Sequence, residues 1–236
     1  MRHKDPESAF LLGITQLDAG NPEAQNTLRA LLQHFPRYSE GWANIGKALF
    51  RAGQFEGAAT AFGRAAKFST SPAFRFGEAS SLMSLKRHQD AITAFEAGMV
   101  LDANNTQALL SLAKCWRAVG QPRKALDQLQ KAEKLEPENC KVLFALGLIN
   151  EDLRDTNAAI EAYRRCVSLK PDFYEAHINL GLVLQHSGQL EQGLLSYKAA
   201  LKLRPDSFGR IAQSLSSASK GQMWLNLDKL RQSLGS

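Results

Sequence analysis

The chain has 236 residues, 44% hydrophobic and 22% charged, ordinary for a globular protein and enough to bury a sizeable core. Its net charge is +6 with pI near 9.3, but no run of five like charges occurs, so the surplus reads as a solvated surface and not as a nucleic-acid arm. Three cysteines, Cys115, Cys140 and Cys166, in no CxxC spacing exclude a disulfide framework or a zinc site and fit a reducing compartment.

The start, MRHKDPESAFLLG, lacks an apolar run long enough for a signal peptide, and no stretch is long enough to span a membrane. The expected location is cytoplasmic. In chain order, Asp5-Pro6 reads as an N-cap followed by a first-turn proline, opening a helix with Leu12 and Gly13. Gly20 then falls in the turn, and a second helix is expected over Ala24 and Leu28, before Pro36. From Ser39 the pattern becomes clear: Trp42, Ile45, Gly46 and Leu49 on one helix, Gly53 in a turn, then Ala58, Phe62 and Ala65 on a second. From Pro72 it returns in weaker form, with Ala79, Leu82, Ala91, Phe95 and Gly98.

From Thr106 the period is regular. Leu109, Leu112, Ala113 and Trp116 fall at helical spacing up to Gly120, and a second helix opens at Pro122 with Ala125, Leu129 and Ala132 on one face. Pro137, Pro171 and Pro205 stand 34 residues apart, and so do Leu112, Leu146 and Leu180, then Ala113, Gly147 and Gly181, then Ala125, Ala159 and Gly193. One helix–turn–helix unit is therefore repeated. The small residues let the two helices of a unit approach closely, and Leu129, Tyr163 and Tyr197 fill the space between units. After Pro205 the pattern breaks. A helix is expected from Phe208 to Ser217, then a turn, then an amphipathic stripe of Trp224, Leu227, Leu230 and Leu234.

This pattern resembles the tetratricopeptide repeat, a unit of 34 residues with small residues at positions 8, 20 and 27 and proline at 32. The resemblance implies an all-α, right-handed α-solenoid of about six helix-turn-helix repeats, 6–38, 39–71, 72–105, 106–139, 140–173 and 174–207, followed by C-terminal capping helices over 208–236. Whether the Trp224 helix caps the array, plugs the groove or docks a partner stays open. So does the oligomeric state.

In that family the first helix of each repeat lines a concave face, with positions 2, 5, 6, 9, 12 and 13 turned into it. Carried onto this chain, position 5 gives Phe10, Phe76, Leu110, Phe144 and Ile178, position 6 gives Asn44 and Asn179, and position 9 gives Lys47 and Lys114. Position 12 adds Arg117, Glu151 and Gln185, and position 13 adds Arg51. The family's two-carboxylate clamp for chaperone tails is missing: Ala43, Lys47, Gly77, Gln107 and Ser111 depart from it throughout.

No phosphate loop, HExxH or GxSxG occurs, and no catalytic residue, metal ligand or cofactor is expected. His177 reads as a structural histidine, and Cys115 and Cys166 as small apolar fillers. The expected function is a non-enzymatic scaffold that holds a protein or peptide with acidic and apolar segments in its concave groove. Two alternatives remain open: a targeting or regulatory module acting with a separate glycosyl- or sulfotransferase, and a weak RNA binder.

Overall fold

The computed structural model of the chain describes residues 6–18 and 34–217. The Asp5 cap, the Gly20 turn with the helix expected over Ala24 and Leu28, and the Trp224 stripe lie outside the described residues. Among the described residues the fold is an all-α solenoid. The helices are α1 (Pro6–Asp18), α2 (Ser39–Arg51), α3 (Phe55–Lys67), α4 (Pro72–Ser84), α5 (His88–Met99), α6 (Thr106–Ala118), α7 (Pro122–Leu135), α8 (Cys140–Asp152), α9 (Thr156–Leu169), α10 (Tyr174–His186), α11 (Leu190–Leu203) and α12 (Phe208–Ser217), with a 3-10 turn at Pro205–Ser207 before the last. The chain forms two compact units, Met1–Gln121 and Pro122–Ser236.

Short turns fold each leading helix back on the next. Counting from the first residue of a leading helix, position 15 has positive φ in every described turn: Gly53 at 73°, Lys86 at 60°, Gly120 at 74°, Arg154 at 63° and Gly188 at 82°. The turns close as Schellman motifs. Gln54 N–H, for instance, donates to Leu49 O at 2.9 Å while Gly53 N–H donates to Phe50 O at 3.0 Å. Side chains cap the other end of α6, α8 and α9: Asn105 accepts from Ala108 N–H, Asn139 from Lys141 and Val142 N–H, and Asp155 from Ala158 N–H.

The small positions do the steric work expected of them. A Cβ on Gly147 would lie 2.2 Å from Cε1 of Tyr163, one on Gly181 2.6 Å from Cε1 of Tyr197, and one on Gly46 2.9 Å from the Phe62 ring. At position 20, Gly193 meets backbone: a Cβ there would stand 3.1 Å from Gly181 O. Ala58, Ala91, Ala125 and Ala159 occupy the same position and are fully buried. Position 24 holds the large residues Phe62, Phe95, Leu129, Tyr163 and Tyr197, all buried, and the rings of Phe62, Tyr163 and Tyr197 lie over Gly46, Gly147 and Gly181.

A second device holds consecutive pairs together. The carbonyl of the proline between pairs accepts a side-chain hydrogen bond: Pro36 O from Trp42 Nε1 at 3.0 Å, Pro137 O from Arg165 Nη2 at 3.1 Å, and Pro171 O from His177 Nε2 at 2.8 Å. His177 is therefore the structural histidine expected. In the second unit, α12 lays Ile211, Ala212 and Leu215 on Tyr174, Tyr197 and Leu201, so the last pair's apolar surface is covered.

Candidate partner-binding surface

In the first unit the leading helices α2, α4 and α6 touch in succession. Lys47 and Arg51 are exposed on α2, one turn apart, and Lys114 and Arg117 are exposed on α6. Lys47 Nζ donates to Asn44 Oδ1 at 3.3 Å, so the position-6 asparagine and the position-9 lysine act together. Between these basic edges α4 presents half-buried Phe76, Ser80 and Met83. The Phe76 ring lies in a notch made by position 27: a Cβ on Gly98 would be 2.4 Å from Phe76 Cε1. Its other neighbour is Phe95, at 6.3 Å between centroids.

Two position-5 residues behave otherwise. Phe10 and Leu110 are each 3% exposed, so they serve the core and offer almost no area to a ligand. Phe10 packs edge-on against Tyr38 at 5.5 Å, within the cluster that holds Ala43 and Phe74. Of the apolar position-5 residues expected to face a partner, Phe76 in the first unit and Phe144 and Ile178 in the second keep part of their surface accessible.

The second unit is built differently. Phe144 on α8 is half-buried and packs at a tilt against Phe173 at 4.9 Å and against Tyr163 at 5.8 Å between centroids. Lys170 Nζ stands over the Phe173 ring at 5.6 Å. The buried Tyr163 hydroxyl donates to Glu151 Oε1 and accepts from Asn179 Nδ2 at 3.3 Å. The Tyr197 hydroxyl donates to Gln185 Oε1 at 2.8 Å. Position 12 in this unit therefore anchors the tyrosines: Gln185, at 1% exposure, does not face a ligand. Ile178 is half-buried against the α12 cluster. Glu175 pairs with Arg204 at 3.4 Å.

Phe173 escaped the sequence reading, although an aromatic two residues after Pro171 and just before a helix could have flagged it. Burial pushes the Cys115 thiol up to about 11 and, with its neighbour Cys140, the Cys166 thiol up to about 12. Neither is a ready nucleophile. Among the described residues, no cluster of three His, Cys, Asp or Glu is placed to hold a metal ion, and no helix is long and apolar enough to cross a membrane.

Residues 10–73, 141–173 and 174–207 match sequence profiles of the tetratricopeptide repeat, together more than half of the chain. The chain belongs to the tetratricopeptide repeat family. The tetratricopeptide fold also aligns with the crystal structure of MamA protein at 25% identity and TM-score 0.66, over 72% of this chain and 93% of that one. The TPR protein YrrB, described as having an unusual peptide-binding site, aligns at 17% identity and TM-score 0.65, over 76% and 93%, a likeness of fold alone. Protein CTR9 homolog of Arabidopsis thaliana is 27% identical over 135 residues. That match takes 53% of this chain and 12% of the relative, so the chain spans a small part of that protein's length. In general terms, a tetratricopeptide chain of this build is a protein-interaction scaffold.

Proposed function

We propose that the chain holds an extended peptide or an amphipathic helix on the leading helices of its first unit, with acidic residues of the partner on the basic side chains and an apolar residue on Phe76, and that Phe144 offers a separate apolar contact in the second unit. The carrying observation is the arrangement on α2, α4 and α6: Lys47 and Arg51 on one side, Lys114 and Arg117 on the other, and half-buried Phe76 between. Aromatic anchors with part of the ring accessible are the side chains that dominate peptide binding. Long basic side chains at the rim steer an acidic segment and set its register more than they set affinity. Asn44 adds an amide able both to donate and to accept, as a peptide backbone requires.

Selection from a displayed library of random peptides tests this reading. Enriched sequences are expected to carry acidic residues beside an apolar anchor. Charge reversal by Lys47→Glu with Lys114→Glu should slow their association and flatten its dependence on salt. Enrichment of peptides without acidic residues, or binding indifferent to both reversals, would sink it.

A further inference from the structure

Cys140 opens α8, and Cys166 sits in the last turns of α9, the helix paired with it. The Cys166 thiol donates to Cys140 O at 3.4 Å, which sets its sulfur beside the Cys140 backbone. The neighbouring Cys140 side chain adds to the upward push that burial gives the Cys166 thiol. Cys140 is half-buried and Cys166 fully buried. The Cys140 sulfur is itself held weakly, by a long 3.9 Å contact with Glu138 O. The side chain has one rotor, so it can turn without disturbing either helix. The fit of Tyr163 over Gly147 holds α8 against α9, which keeps the Cys140 carbonyl beside the Cys166 sulfur.

We propose that Cys140 and Cys166 form a reversible disulfide that ties the start of α8 to the end of α9 when a low-molecular-weight disulfide such as oxidised glutathione accumulates. The inference does not depend on the groove reading. Cys140, the accessible partner, gives up its proton and attacks one sulfur of the oxidant. The oxidant's S–S bond breaks, and one small thiol leaves with the electron pair and a proton. Cys166 then loses its proton and attacks the Cys140 sulfur of the mixed disulfide, which expels the second small thiol. Two protein thiols are oxidised and one small disulfide is reduced to two thiols. Excess small thiol reverses both steps.

The two environments assign this order. Burial is the main cause holding Cys166 protonated, and the neighbouring Cys140 thiol is the next. Cys166, fully buried, therefore does not meet the oxidant first. Phe144 stands four residues after Cys140 on α8, so the closed staple holds the turn that carries it.

The test equilibrates the full chain with reduced and oxidised glutathione at graded ratios, quenches with an alkylating agent in denaturant so that every free thiol is labelled, and reads intact mass and linked peptides. The expected product has lost two thiols and two hydrogens, with Cys140 joined to Cys166 and Cys115 alkylated throughout. Cys166→Ala should stop at a glutathione adduct on Cys140. That variant keeps the packing, since Ala132 and Ala200 hold the same place in other repeats. Cys140→Ala should give neither product. Persistence of a Cys140 adduct in the unsubstituted chain, a disulfide between two chains, or both thiols remaining alkylated at every ratio would each overturn the proposal.

Discussion

Among the described residues the backbone asks for a left-handed conformation at position 15 five times, and three times the residue is glycine. Lys86 and Arg154 hold the other two places at φ of 60° and 63°, where a side chain costs about 1–2 kcal/mol. Lys86→Gly and Arg154→Gly should therefore each stabilise the fold by about 1 kcal/mol, seen as a higher urea midpoint at unchanged slope. Gly147→Ala should do the reverse and cost about 1–3 kcal/mol, because the added methyl meets the Tyr163 ring at 2.2 Å. The glycines were legible in the sequence because period and residue type coincide. Lys86 and Arg154 were not, since a lysine or an arginine carries no sign of the φ imposed on it.

The buried thiols give a pH dependence whose sign is fixed. Cys115 and Cys166 ionise near 9.0 when solvated and near 11 and 12 in the fold. The folded state therefore keeps protons that the unfolded chain gives up. Their contribution is complete below about pH 9 and falls away as pH rises from there through 11 and 12. The urea midpoint should drop between pH 9 and 11, and should drop less in the Cys115→Ala, Cys166→Ala double variant. An equal drop in both proteins would contradict this assignment.

At the scale of the element, the helix pair is held by one large residue set against small ones, and in the second unit that large residue is a tyrosine whose hydroxyl must be served. Tyr163→Phe takes a donor from Glu151 and an acceptor from Asn179, and Tyr197→Phe takes the donor from nearly buried Gln185. Each should cost about 1–3 kcal/mol and quicken amide exchange in α8 to α11, with little change in α2 to α5. The sequence showed Tyr163 and Tyr197 as fillers of space. It did not show that Glu151, Gln185 and Asn179 serve them, because position 12 or 6 gains that role only where position 24 brings a hydroxyl. The proline carbonyls teach the same lesson: tryptophan, arginine and histidine each satisfy one, and no single residue type marks the place.

For the whole molecule, a 34-residue step gave the helix–turn–helix course because every landmark is a packing necessity that recurs with the pair. The partner surface was less legible. Position 5 faces both a neighbouring helix and solvent, and the share of each depends on the residue opposite. Phe76 stays half-exposed because it rests on Gly98, whereas Phe10 is drawn against Tyr38 into the core. Charge was easier to read, since Lys47, Arg51, Lys114 and Arg117 are all exposed. The most direct test of the scaffold account is the affinity of a library-selected peptide for the unsubstituted chain and for the Phe76→Ala, Phe144→Ala double variant, with circular dichroism on both. The account predicts at least about a tenfold loss, on the order of 1.4 kcal/mol, at unchanged helical content. Equal affinity in two equally helical proteins would contradict it.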